Sequence, residues 1–300
     1  RMSQLIGYGL NVDSVPTLCD FLYATLNLPH QFKKEFGRNT DKLTTNNLAL
    51  VTLFRQSNGH HAVAAALKLR ALTTQLDSLL ADTDADGRIR CAYNLVGTET
   101  GRLTCYTSPT GSGFNLQTVS KKFRKLFGAG DALLLAQCDL AGADGWPVAA
   151  HCAAHGDTAM LDDLRASLKP AKIIALMHEQ GAAMMRLTRD ELRPMCARVD
   201  KDGWLYFACK RVQHGTSYGM GERTISDTIL KDSYRDTGAP VYVPEATCRT
   251  IKRLFMLRYP GLERWHAALQ RQLKTRGTIT SASGHTRVLF GPKHDNKTFR

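Results

Sequence analysis

Ten residues constrain this chain more than any others: Lys210-Arg211-Val212-Gln213-His214-Gly215-Thr216-Ser217-Tyr218-Gly219. Lys210, His214 and Tyr218 recur at i, i+4 and i+8, so on a helix their side chains stack along one face. A cation, an imidazole and a phenol in a row suit a nucleotide: the cation meets phosphate, and the flat rings meet sugar and base. Gly215 and Gly219 carry no side chain, so another group can approach the backbone closely there. The same spacing also fits an ordinary amphipathic helix that turns its tyrosine into a core, and the pattern alone does not choose between the two.

A second segment, Ala132-Leu133-Leu134-Leu135-Ala136-Gln137-Cys138-Asp139, is a short apolar run without helical spacing. It reads as a buried strand that ends in a carboxylate. A carboxylate at that point is costly unless it is solvated, paired or bound to a metal. Mg²⁺ takes one or two carboxylates together with substrate phosphates, so Asp139 is a candidate ligand. The other reading makes Asp139 a cap for the helix beginning near Trp146.

Composition narrows the class of partner. Forty basic residues against 27 acidic ones give a formal charge of +13, which favours a polyanion held by counterion release. Hydrophobic residues make up 43% of the chain, ample for a packed core. No stretch approaches the roughly 20 apolar residues of a membrane span, so no membrane partner is expected. The eight cysteines form no CxxC pair and read as buried thiols of a reducing compartment, the cytoplasm.

Further motifs occur in a fixed order. Thr98-Glu99-Thr100-Gly101-Arg102-Leu103-Thr104 is followed by Asn115-Leu116-Gln117 and then by the basic run Lys121-Lys122-Phe123-Arg124-Lys125. The apolar run to Asp139 comes next, then Ala149-Ala150-His151, His155-Gly156-Asp157 and the Lys210–Gly219 face. Arg258-Tyr259-Pro260-Gly261 and Gly284-His285-Thr286-Arg287 close the series. Taken in order, the set resembles a family A DNA polymerase of phage or viral type, with Asp139 in the place of motif A and Lys210–Gly219 in that of motif B.

The resemblance implies a mostly helical α+β chain with right-hand polymerase architecture: helical thumb and fingers and an incomplete antiparallel palm sheet. It places the thumb at 1–85, the first part of the palm at 86–145, the fingers at 146–255 with the motif B helix at about 204–219, and a return towards the palm at 256–300. The implied activity is template-directed addition of deoxynucleotides to a primer 3′ end with two Mg²⁺ ions. Primer-template DNA and deoxynucleoside triphosphates are the implied partners, and replication accessory proteins are further candidates. For a viral protein the compartment is the host cytoplasm.

Residue by residue, Asp139 would bind the metal, and the backbone carbonyl of Leu140 would add a ligand. Lys210 would hold the triphosphate and protonate the leaving group. His214 stands where the family has Phe or Tyr against the incoming sugar, and Tyr218 would pack behind the templating pair. Asp144 takes the place of a family glutamate that excludes a ribose 2′ hydroxyl. Arg102 would read the shape of the minor groove near the primer end, where acceptors recur in similar places in all correct pairs. Asn115, Gln117 and Arg124 are candidate template-primer contacts, with turn hydrogen bonds or a solvated surface charge as their other reading.

Several positions depart from the family pattern. Tyr206 stands where an arginine is usual, and Arg211 lies about 100° round the helix from Lys210. Lys169 and Lys172 are the candidates to supply the missing charge, although exposed helix-end lysines are the favoured reading of both. His294-Asp295 follows the Gly284 hairpin too soon to serve as the family's second catalytic carboxylate. These 300 residues are therefore expected to be an internal piece of a longer polymerase and inactive, or nearly so, by themselves. The alternative is a decayed, non-catalytic nucleic-acid-binding protein.

The coarse reading of elements expects helices over 1–85, with Asn46–Arg55 and Ala62–Leu79 among them and a basic loop at Lys33, Lys34, Arg38 and Lys42. It expects a strand at Gly87–Tyr93, a break at Pro170, a capping box at Thr188–Glu191, and long helices after Pro244 and Gly261.

Overall fold

The computed structural model describes residues 10–35, 38–77, 83–98, 101–109, 111–119, 123–130, 132–136, 138, 140–236, 240–281 and 284–289. The chain divides into two compact units. One comprises Arg1–Asp139 with Ser233–Pro240, and the other Leu140–Asp232 with Val241–Arg300.

In the first unit, α1 (Val15–Cys19) runs directly into a π-helical turn, Asp20–Thr25. Strands β1 (Phe32–Glu35) and β2 (Arg38–Leu43) then form an antiparallel hairpin. Helix α2 (Asn47–Gln56) is capped by Asn46, whose side chain accepts from the Ala49 amide at 2.8 Å. Helix α3 (His61–Asp77) follows. Leu18, Leu22, Leu50, Leu53, Val63 and Ala66 are fully buried among these helices. Strands β3 (Cys91–Asn94) and β4 (Thr104–Thr107) pair in antiparallel register, with Tyr93 opposite Cys105. Short 3₁₀ turns follow at Leu116–Thr118 and Arg124–Leu126.

The second unit is helical: α4 (Gly145–Ala154), α5 (Ala159–Arg165), α6 (Pro170–Gln180), α7 (Arg189–Arg198), α8 (Trp204–Ser217), α9 (Glu222–Asp236, assigned to this unit as far as Asp232), α10 (Glu245–Arg258) and α11 (Gly261–Arg276). Pro170 starts α6 at its first turn, where the missing N–H costs nothing. Thr188 and Glu191 close a capping box at α7. Gly277 stops α11 in the left-handed conformation, φ 69°. Helix α6 is the centre of the core, with Ile173, Ile174, Ala175, Leu176 and Met177 all buried. Helices α8 and α10 pack against it. A last hairpin pairs β5 (Thr278–Thr280) with β6 (Thr286–Val288).

The expected fold class holds: the chain is mostly helical, with small antiparallel sheets. Several local expectations do not: the strand expected from Gly87 begins only at Cys91, and Cys138 is exposed where a buried thiol was expected. The basic segment from Lys33 to Lys42 is the β1–β2 hairpin, not a loop between helices. Residues 132–136 form no strand, and Leu133, Leu134 and Leu135 are 61%, 97% and 67% exposed. A strand fills its hydrogen bonds only from neighbours, and the described residues contain three separate two-stranded sheets that offer none to this run. Lys172 is not an exposed helix-end lysine either. It is buried, and its ammonium donates to the Cys196 carbonyl at 2.5 Å.

Two of the sequence motifs hold the second unit together. The Asp157 carboxylate accepts from the Gly261 amide at 2.7 Å and from the Ala159 amide at 3.1 Å, so it satisfies the first amide of both α11 and α5. A Cβ on Gly261 would lie 2.5 Å from the Asp157 Cβ and 3.0 Å from the Cys152 Cβ. Gly261→Ala is therefore expected to cost about 1–3 kcal/mol through overpacking. Urea unfolding measures this, and an unchanged midpoint would show that the two helices can part without strain.

Asp163 supplies the second tie. Fully buried, it accepts from Arg189 Nε at 3.0 Å, from Arg258 Nη2 at 3.0 Å and from the Tyr259 hydroxyl at 3.0 Å. Burial works against the Arg258 charge, but the Asp163 carboxylate outweighs it and its pKa is raised. Burial, reinforced by Asp163, also pushes the Tyr259 phenol well above its ordinary value.

Candidate nucleotide and nucleic-acid site

Helix α8 buries Leu205, Ala208, Cys209, Val212, Gly215 and Thr216 on one side. That spacing of three and four residues leaves the opposite face to solvent. Lys210, His214 and Tyr218 occupy it, and all three are exposed. The tyrosine is thus on the surface, 55% exposed, and not in a core. The rings of His214 and Tyr218 lie 4.8 Å apart between centroids, tilted by 52°.

Asp144 joins this face from another part of the chain. It precedes α4, and its carboxylate makes no capping hydrogen bond to that helix. Instead, Oδ2 lies 3.7 Å from His214 Nδ1. The neighbouring Gly145 lies near α8: a Cβ at that position would sit 4.0 Å from Gln213 Nε2. The second unit therefore brings together four of the expected nucleotide residues, Lys210, His214, Tyr218 and Asp144.

The expected openness of the glycines divides. The space beside Gly215 is filled from within, since a Cβ there would meet Ile225 Cγ1 at 2.9 Å and Met220 Sδ at 3.3 Å. Gly215 serves helix packing. Gly219 has φ 71° and nothing within 4 Å of a built Cβ, and it ends α8.

The other cation of α8 is committed elsewhere. Arg211 Nη1 lies 3.2 Å from Asp232 Oδ2, and its guanidinium sits 5.2 Å from the centre of the Phe207 ring. Tyr206, one turn before Lys210, is half-buried, and burial raises the pKa of its phenol. Lys169 is exposed on the solvent side.

In the first unit, the loop between β3 and β4 carries Arg102. The Thr98 hydroxyl accepts from the Arg102 amide at 2.8 Å and donates to the Arg102 carbonyl at 3.0 Å, which closes the loop and leaves the guanidinium exposed. Asn115 Oδ1 accepts from the Gln117 amide at 2.9 Å, the turn-forming role foreseen as its other reading. Gln117 is exposed. Arg124 is exposed, with Nε donating to the Val119 carbonyl at 3.3 Å. Burial raises the Cys105 thiol, which also meets the amides of Leu116 and Gln117, so this turn rests on β4.

Asp139, Glu99, Thr100, Lys121, Lys122 and His294-Asp295 lie outside the described residues. Leu140 is described and 80% exposed, and its carbonyl accepts from the Ala143 amide at 3.4 Å in a turn. Among the described residues no group of three or more His, Cys, Asp or Glu gathers as a metal site. None of the described helices is long and apolar enough to cross a membrane. The eight cysteines are free thiols.

Sequence reasoning missed two groups at this site, His266 and Lys252, which hold the end of α8. His266 ring nitrogen Nε2 is 3.1 Å from the Ser217 carbonyl, and Lys252 Nζ is 3.0 Å from the Met220 carbonyl. Both come from helices with no local signal pointing to α8.

Residues 1–300 match DNA polymerase family A. The chain is 26% identical over 299 residues to DNA polymerase I of Treponema pallidum (strain Nichols), covering 95% of this chain and 25% of that protein. Its fold is similar to that of the POL domain of Pol1 from M. smegmatis, solved in complex with DNA primer-template and dNTP. The TM-score is 0.62 at 20% identity, over 96% of this chain and 45% of that one. Both relatives are bacterial, so they lend nothing to the expected phage or viral type. The chain spans about a quarter of the length of the one and under half of the other. With the family matched from end to end, the chain belongs to the family A DNA polymerases.

Proposed function

We propose that the chain is the nucleotide-binding part of a cytoplasmic polymerase that performs template-directed DNA synthesis, adding deoxynucleotides to a primer 3′ end. The observation that carries this reading is the meeting of Asp144 with His214 at 3.7 Å, beside exposed Tyr218 and on the face of Lys210. Two segments some 70 residues apart in sequence converge on one solvent face with a carboxylate, a cation and two flat rings.

Each group has a place in the proposed reaction. Lys210 holds the triphosphate by charge-assisted contact. The His214 ring lies against the sugar, oriented by Asp144. Tyr218 offers its ring to the base pair being formed. In the first unit, Arg102 on its closed loop and exposed Gln117 and Arg124 contact primer-template DNA, while Asn115 shapes the turn. The proposed divisions are thumb at 1–85, palm at 86–145, fingers at 146–255 and the return at 256–300.

Two Mg²⁺ ions belong to this proposal through Asp139 and the Leu140 carbonyl alone. Among the described residues no group of three or more His, Cys, Asp or Glu gathers to hold them.

The test is primer extension by the protein of native length. Incorporation of the nucleotide complementary to each template base supports the reading. Tight binding of primer-template with no incorporation overturns it in favour of a non-catalytic nucleic-acid-binding protein.

A further inference from the structure

The end of α8 is closed in two stages. Gly219 N–H donates to the Thr216 carbonyl at 2.9 Å and Met220 N–H to the Gly215 carbonyl at 2.8 Å. This pair of bonds is a Schellman turn, and it satisfies two of the carbonyls left open at a helix end. The Ser217 carbonyl is met by His266 of α11 at 3.1 Å. The Met220 carbonyl is met by Lys252 of α10 at 3.0 Å, and the same ammonium pairs with Glu222 Oε1 at 2.9 Å. Tyr218 lies between these two anchored carbonyls, and its own side chain is exposed.

We propose that His266 and Lys252 are positioning residues that clamp the Ser217–Met220 turn and so fix the Tyr218 ring beside His214 for the nucleoside part of a bound nucleotide. This rests on the reading of the Lys210–Tyr218 face as a nucleotide site. Lys210 lies two turns away in the middle of α8, held by the helix ladder, so the clamp acts on the ring end and not on the phosphate end.

The anchors suit the task. Burial pushes the pKa of the His266 imidazole down, with Lys252 adding to the effect and the Ser217 carbonyl opposing it, so the ring is neutral at pH 7. A carbonyl only accepts, which assigns the proton to Nε2. Trp265 precedes it and stacks on His151 at 4.6 Å and an interplanar angle of 2°, which fixes α11 against α4. Gly219, with φ 71°, is the pivot at which the turn would otherwise swing.

The experiment measures binding of dATP and of inorganic triphosphate to the chain on primer-template DNA with a templating thymine. His266→Phe keeps a flat ring and removes the donor. It is expected to raise the Kd of dATP by about 3–10-fold, the effect of one hydrogen bond. Inorganic triphosphate is expected to bind as in the wild type. His266→Gln, whose amide nitrogen can reach the same carbonyl, is expected to restore dATP binding. If His266→Phe does not fold, Lys252→Met serves, with the same expected separation of the two ligands. Unchanged dATP affinity in a folded variant overturns the clamp, as does equal weakening of both ligands. Lys210→Ala distinguishes the parent reading: inorganic triphosphate binding that survives it, or no dATP binding by the wild type, overturns the nucleotide face and the clamp with it.

Discussion

Asp163→Ala is expected to destabilise the second unit by about 3–5 kcal/mol, because it leaves an arginine charge buried without its partner. Stability in domains of this size totals only about 5–15 kcal/mol, so the loss is a large fraction of the whole. Arg258 bears most of it. Its side chain is 10% exposed and cannot recover its hydration, whereas Arg189, 41% exposed, can turn to water. The Tyr259 hydroxyl, fully buried, loses its acceptor as well. Thermal unfolding is expected to shift downwards by roughly 6–20 °C. A triple variant separates charge from packing. Asp163→Leu with Arg258→Met and Tyr259→Phe removes the two buried partners of the carboxylate and leaves only the part-exposed Arg189, and it is expected to recover most of the loss. An Asp163→Ala protein within 1 kcal/mol of the wild type would mean that the network is wet and contributes little.

What was legible in the sequence was local, and what was not depended on distant partners. The capping box at Thr188, the break at Pro170 and the helix start after Pro244 each act within one turn, and each appears where expected. The apolar run before Asp139 is different in kind. A strand is completed by its neighbours, and the described residues provide none, so hydrophobic content alone misread its burial. Lys172 failed for a similar reason. Its acceptor, the Cys196 carbonyl, is 24 residues away, and no pattern near position 172 announces it. The Arg258–Asp163 contact spans 95 residues. Here the chain motif marked Arg258-Tyr259-Pro260-Gly261 without saying what the arginine holds.

The candidate site divides in the same way. The Lys210, His214 and Tyr218 face follows from helical spacing alone. Asp144 entered only through the family resemblance, and nothing in helical spacing announced that its carboxylate lies 3.7 Å from His214 Nδ1. The anchors at Ser217 and Met220 had no signal, because a side chain that reaches a backbone carbonyl on another helix leaves no trace in the acceptor's sequence.

Lys210→Ala is expected to weaken dATP binding by about 10–100-fold, the effect of losing one charge-assisted contact of roughly 1.5–3 kcal/mol. No replacement stands nearby on this helix. Arg211 faces Asp232 and the Phe207 ring, and Tyr206, one turn before Lys210, holds a half-buried phenol whose pKa burial raises. In turnover by the native-length protein, KM for the nucleotide is expected to rise and kcat to fall, because in the proposed reaction the lysine would both hold the triphosphate and meet the charge of the departing pyrophosphate. Three controls locate the effect. Deoxyadenosine, which has no phosphates, is expected to bind the variant and the wild type alike. Lys210→Arg keeps the charge and is expected to recover part of the affinity, though its fork does not place the charge at the same point. Raising the salt concentration is expected to narrow the gap between wild type and variant, since the exposed ammonium of Lys210 is screened. Equal dATP affinity for the alanine variant and the wild type would remove Lys210 from the triphosphate site. Because Arg211 is already engaged, that result would leave α8 without a group to hold phosphate.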